Sequence, residues 1–369
     1  MIKDDQIYVT QPYLPPLDEF IPYLQRIWES KRLTNSGPFH LQLEVALAEF
    51  LGVDHIALLA NGTMALLIAL EALQLTGEVI TTPYTFVATT HSLRWKGLTP
   101  VFVDINSDSL SIDPARIEAA ITPRTSAILA VHVYGQPSDV VALQRIADTH
   151  NIKLIYDAAH SFAVQDEGGS ILKHGDLSIL SFHATKVFTT FEGGAIICRD
   201  IAMKRRIDCL KNFGLEEAGA AIETGINGKM SELHAAFGLA QLEHVRTAIN
   251  LRQGRDSRYR QQLAGVPGIK LVTLKAGVTQ NYSYFPILVQ DEYRQSRDEL
   301  CLRLHDKQVF ARRYFSPLIS NSAIYSALPS ANKRNLPVAN RCESQVLCLP
   351  LSPSLTDADV DRIVAIIRE

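Results

Sequence analysis

The sequence predicts an α/β protein with a mostly parallel central sheet and a smaller α/β part at its C-terminal end. Three observations predict it. Short apolar runs alternate with helical patterns from about residue 55 to residue 160, which is the mark of βαβ units. Two apolar runs, "LSILSF" and "GGAIIC", then follow close together and add an antiparallel pair. Past the turn "GVPG" at 265–268, a second and shorter set of apolar and helical segments begins.

The elements are justified in order. Residues 1–35 form an arm whose "PYLPPLDEFIPYLQRIW" is broken early by proline and then turns amphipathic. Residues 39–52 place Leu43, Ala46, Leu47 and Phe50 near helical spacing. "HIALLA" is a strand before a helix at 63–75. "EVITTP" precedes the helical "TFVATTHSLRWKG", and "PVFVDI" precedes the helical "DPARIEAAI". "SAILAVHVYG" precedes the helical "DVVALQRIADTHN", and "KLIYDAAH" closes the series. A long helical stretch covers roughly 229–263. Beyond it come "YSYFPILV", a helix around 294–306, "QVLCLPL" and a helix after Thr356.

A chain of 369 residues is long enough for two or three domains with sizeable cores. The expected division is 1–245, an arm and a large domain, and 246–369, a smaller domain. A net charge of −3 gives no basic excess to attract nucleic acid. The five cysteines are scattered with no C-x-x-C pair, which argues against a disulfide framework or a metal site. The N-terminal segment carries no apolar core of a signal peptide, and no apolar run approaches the roughly 20 residues that span a bilayer. A cytoplasmic protein is the expectation.

The stretch "DLSILSFHATKVFTTFEGGAIIC" sets Lys186 between two apolar strands. Lysine in a closed site can condense with an aldehyde. Asp157 ends the apolar run "KLIYD", and ligands of open α/β sheets sit at the carboxyl ends of strands. Its carboxylate either caps the following turn or meets a cationic ligand atom. Gly62 and Thr63 stand between a strand and a helix, where free amides make an anion site; the same residues also serve as a turn and cap. Phe86 either stacks on a flat ring or packs in the core. A phosphate cradle, an aromatic, a carboxylate and a lysine, in this order, fit pyridoxal 5'-phosphate (PLP).

These pieces, with "RLTNSGPF", "ANGTMAL", "TFVAT", "YDAAHSF", "GDLSILSFHATK", "EGGAII" and "GINGKMSELHAAFGLAQLE", resemble the DegT/DnrJ/EryC1/StrS sugar aminotransferases over nearly the whole chain. The resemblance implies the type I (aspartate aminotransferase) fold and transamination from L-glutamate. It gives Lys186 the Schiff base and the proton transfers, and Asp157 the pyridine nitrogen. It puts Phe86 on the ring face, His160 on the cofactor hydroxyl, where many relatives have Gln, and Gly62, Thr63 and Ser181 on the phosphate. Asn61 replaces a common Ser there and keeps an amide donor. Asn227 in "GINGKM" resembles the residue that reaches the phosphate of the neighbouring subunit, which implies a homodimer with shared sites. Lys186, rather than the His of a dehydrating branch, favours transamination.

The acceptor implied is a nucleotide-linked 4-keto-6-deoxyhexose for O-antigen synthesis, with a 3-keto isomer as the alternative. Tyr314 and Phe315 either line its pocket or pack under the small domain. Arg252 either meets the substrate diphosphate from the other subunit or lies on a solvated helix face. His183 is expected to be structural or to act behind the contacting residues, and Glu192 to shape the turn. A PLP lyase or isomerase, or a non-catalytic binding protein, could use the same scaffold.

Overall fold

The computed structural model describes residues 6–216 and 219–369. In chain order the elements are β1 (Ile7–Tyr8), α1 (Leu17–Ser30), α2 (Pro38–Leu51), β2 (His55–Leu59), α3 (Gly62–Ala72), β3 (Glu78–Thr81), α4 (Val87–Trp95), β4 (Thr99–Phe102), β5 (Thr125–Val131), α5 (Val140–His150), β6 (Lys153–Asp157), β7 (Gln165–Asp166), β8 (Gly169–Ser170), β9 (Leu177–Ser181) and β10 (Gly194–Cys198). They continue with α6 (Ile201–Leu210), α7 (Glu232–Leu263), β11 (Ile269–Leu271), β12 (Phe285–Val289), α8 (Arg297–Asp306), β13 (Val309–Phe310), α9 (Pro337–Gln345), β14 (Val346–Leu349) and α10 (Asp357–Arg368).

The main sheet has seven strands in the order β2-β10-β9-β6-β5-β3-β4. Every neighbouring pair is parallel except the two that β10 makes, with β2 and β9. The strands are buried on both faces, as the near-continuous apolar runs require. Residues of alternate parity divide between two cores. Ala57, Leu129, Ile155 and Ile196 pack with α3, α4 and α6, whereas Ile56, Ile128, Leu154 and Ile197 pack with α1, α2, α5 and α7.

The C-terminal part packs a three-stranded antiparallel sheet, β11-β12-β14, against α8, α10 and the end of α7. The first described strand joins it: β1 pairs in parallel with β13. A further core, with Tyr84, Tyr134, Phe315, Tyr325 and Cys348, fills the space between this part and the main sheet. Among the described residues no helix is long and apolar enough to cross a membrane.

Two expectations need correction. The helix expected over "DPARIEAAI" is instead two short 3-10 turns, Pro114–Arg116 and Glu118–Ala120. Pro123 disfavours helical backbone at Thr122, so the segment has no room to extend past its opening Pro114. Arg252 lies neither on a solvated face nor in a ligand cleft. It is 1% exposed inside α7, and its guanidinium donates to the carbonyl oxygen of Leu351 at 2.9 Å and to Thr10 Oγ1 at 3.3 Å. A helix polar in sequence becomes buried here because the arm and the C-terminal strands close over it.

Candidate active site

A cleft of about 560 Å³ opens at the carboxyl edge of the main sheet. Asp157 and Ser181 are the last residues of β6 and β9, and Lys186 lies in the loop that follows β9. The parallel order of β2, β9, β6, β5 and β3 therefore sends their C-terminal loops to one place. Asn61, Gly62, Thr63, Phe86, Asp157, His160, Ser181, Lys186, Tyr314 and Phe315 all line the cleft. Asn227 is exposed and lies outside the cleft of its own chain, bridged to Asn212. Arg252 lies outside it too.

The β2–α3 turn forms an anion cradle. Asn61 caps α3, its Oδ1 accepting the amide of Met64 at 2.8 Å. Its Nδ2 remains a donor. The amides of Gly62 and Thr63 have no backbone partner among the described residues and stand at the positive end of the helix. The turn is tightly seated. A Cβ on Gly62 would fall 3.0 Å from Ser181 Cβ, and one on Gly194 would fall 2.6 Å from the Asn61 carbonyl carbon. The glycine that opens β10 thus leaves room for the cradle.

Asp157 is buried, yet its carboxylate is well supplied with donors. Thr89 Oγ1 donates to Oδ2 at 2.7 Å, and the Ala159 amide donates to Oδ1 at 3.1 Å. Burial pushes the carboxyl above its ordinary range; the Thr89 bond, the Ala159 amide and the Lys186 charge oppose that shift. Burial also brings the Lys186 amine down to about 8, against the pull of Asp157. The side chain of Lys186 is partly exposed, toward the cleft, and its amine has no hydrogen-bond or ion-pair partner among the described residues. An amine near neutrality, facing a cavity without a partner, is a nucleophile in waiting.

His160 is fixed in one tautomer. The amide of Tyr134 donates to its Nδ1 at 3.1 Å, so the ring proton resides on Nε2. Burial, and then the Lys186 charge, hold its pKa well below the usual histidine value, so the ring is neutral. The side chains of Asn281 and Ser283 hold its backbone carbonyl, at 2.8 and 2.6 Å. Phe315 lies parallel to the imidazole with centroids 6.1 Å apart. Phe86, 58% exposed, is not a core residue and offers its ring to the cleft. Phe315 both lines the cleft and packs in the core beneath the C-terminal part.

Several residues here escaped the sequence reading. Thr85 and Thr89 sit one helical turn apart in "TFVAT", a spacing that could have signalled a shared face. Tyr134, Asn281, Ser283 and Tyr284 come from segments far apart in the chain and carry no local signal. The sequence suggests a structural place for His183 and a turn-shaping one for Glu192. Both line the cleft, with Nε2 and Oε1 3.6 Å apart. Among the described residues no group of three or more His, Cys, Asp or Glu side chains is placed to hold a metal ion.

A planar phosphorylated aldehyde is the kind of group this donor set fits: helix amides for an anion, an aromatic face, a carboxylate at a strand end and a free amine. The fold and this site are those of an enzyme that moves amino groups. The chain belongs to the DegT/DnrJ/EryC1/StrS aminotransferase family, a model of which matches residues 17–368. It is 54% identical over 364 residues to the dTDP-4-amino-4,6-dideoxy-D-glucose transaminase of Shigella dysenteriae, covering 98% of each chain. It is 51% identical to the Escherichia coli enzyme of the same name, over 99% of each. Among solved structures, DesI in the presence of its TDP-sugar product superimposes with a TM-score of 0.94 at 35% identity, over 99% of this chain and 93% of that one.

Proposed function

We propose that the protein is a PLP-dependent nucleotide-sugar aminotransferase. It transfers the amine of L-glutamate to dTDP-4-keto-6-deoxy-D-glucose and forms dTDP-4-amino-4,6-dideoxy-D-glucose. The observation that carries the chemistry is the unpartnered Lys186 amine beside the buried Asp157 carboxylate. The choice of sugar is supported by the printed names of two relatives above 50% identity.

When bound, PLP would supply an electrophilic aldehyde and a ring that accepts electrons. The chain's own residues do the rest. Lys186 would hold the aldehyde carbon and, once freed, carry a proton on Nζ from the α-carbon of glutamate and later to the sugar carbon. Asp157 would accept a hydrogen bond from the ring nitrogen and keep it protonated. The Gly62 and Thr63 amides, Asn61 Nδ2 and the Ser181 hydroxyl would hold the phosphate. His160 Nε2–H would donate to the ring hydroxyl, and Phe86 would cover one face. Tyr314 and Phe315 would border the sugar.

Asn227 would serve the site of a second copy. Its surroundings support this: Leu41, Phe213 and Ile222, near the Asn212 segment it bridges, are large apolar side chains left exposed on the single chain. The proposed division between domains lies near residue 245, inside α7. Val245 packs with the main core, and Tyr259 and Leu263 pack with the C-terminal core. Ile7 also packs with the C-terminal core, so the arm crosses that boundary. The cytoplasm, where nucleotide sugars are made, is the proposed compartment.

The test is to incubate pure protein and L-glutamate with dTDP-4-keto-6-deoxyglucose and, separately, with its 3-keto isomer. The expected result is one equivalent of 2-oxoglutarate and an amine at C4, read by NMR. Amination of the 3-keto isomer alone would overturn the substrate; release of no 2-oxoglutarate would overturn transamination.

A further inference from the structure

The Asp157 carboxylate does not stand alone. Its Oδ2 accepts from Thr89 Oγ1 at 2.7 Å, and Thr89 Oγ1 lies 2.8 Å from Thr85 Oγ1. An ionised carboxylate can only accept, so Thr89 must donate to it. That leaves the Thr89 oxygen to accept, so Thr85 is its donor. The hydroxyls therefore point one way, from Thr85 in the cleft wall to Thr89, which is fully buried, and on to Asp157. Phe86 lies next to Thr85 in the chain, so one turn presents the ring-facing aromatic and grips the carboxylate.

We propose that Thr89, backed by Thr85, is a positioning residue for the reaction: it orients Asp157 and keeps it ionised, so that the ring nitrogen of the cofactor stays protonated. This rests on the PLP reading above. Burial alone drives the Asp157 carboxyl toward its neutral form, and the Thr89 bond is the largest influence opposing it. The other opposing groups are the Ala159 amide and Lys186, and the nearby His160 is neutral. Were Lys186 tied up in covalent attachment, its free ammonium would no longer face Asp157, and the hydroxyls and the Ala159 amide would be the chain's remaining fixed supports for the carboxylate.

Valine replaces threonine at nearly equal volume and removes only the hydroxyl. The experiment loads wild-type, Thr89→Val, Thr89→Ser and Thr85→Val proteins with PLP labelled with 15N at the ring nitrogen and follows the 15N signal from pH 6 to 9. The expected result is a pyridinium signal in wild type and a shift toward neutral pyridine in Thr89→Val. Its kcat should fall about tenfold, the effect of losing one charge-assisted hydrogen bond, with little change in KM for glutamate. Thr89→Ser should restore both, and Thr85→Val should shift the signal in the same direction but less. Thr85→Val also keeps the question answerable if Thr89→Val does not fold. Bound label with the same 15N signal in all folded variants overturns the relay alone. Wild-type protein that takes up no label overturns the PLP reading and the relay together.

Discussion

At the scale of single residues, the site turns on one amine. The Lys186 pKa of about 8 means that the neutral, nucleophilic form grows as pH rises through that value. Cofactor-free protein should therefore capture PLP faster as pH is raised from about 7 to 9, with a midpoint near 8, measured by the absorbance of the lysine adduct. Lys186→Ala should lower turnover by roughly a thousandfold or more while PLP still binds non-covalently, checked by steady-state kinetics and equilibrium dialysis. Lys186 and Asp157 stand out in the sequence because one lies between two apolar strands and the other ends one. Thr89 and Arg252 do not. A threonine on a helix facing a sheet reads as ordinary packing until its partner is seen 68 positions away. An arginine in a polar helix reads as solvated until the elements that bury it, drawn from both ends of the chain, are in place.

At the scale of elements, the sheet and its crossovers were legible because their patterns are local: period, turn residues and length. The helices α6 and α9 drew no notice in the sequence. Both are short, and α6 is markedly polar, so its stop and start signals (Asp200 as its cap) outweigh its periodicity only in hindsight. The fit between α2 and α7 illustrates what local patterns miss. Glu232, the first residue of α7, is buried, and its carboxylate accepts the amides of Phe39 and His40 at 2.9 Å each. One acidic side chain thus satisfies the free N-terminal amides of another helix. Its own amide donates to Leu33 at 2.9 Å and ties down the "RLTNSGPF" loop. Glu232→Ala should lower unfolding stability by about 2–3 kcal/mol, since two buried amides lose a charged acceptor. Urea denaturation would measure it; a change within 0.5 kcal/mol, the ordinary range of surface substitutions, would contradict the role assigned to this contact.

For the whole molecule, the separation of Asn227 from its own cleft leads to a complementation test. Mixing Lys186→Ala with Asn227→Ala, which should weaken PLP binding, should regain about a quarter of wild-type sites at PLP levels too low to fill the Asn227→Ala sites. Half of randomly paired dimers are hybrids, and each hybrid has one intact site. Mixed protein that remains inactive after subunit exchange, verified by differential tags, would argue that Asn227 acts elsewhere. Another whole-molecule feature bears on how the chain is made. The pairing of β1 with β13 joins segments far apart in the chain, and Gln6 meets Gln308 across 302 positions. During synthesis β1 is made before the main sheet and waits for β13, made after it, so the main sheet can assemble in between. Clipping or tagging the leading residues should therefore disturb the C-terminal cap and the neighbouring Tyr314 wall, rather than the β2–α3 cradle that they precede.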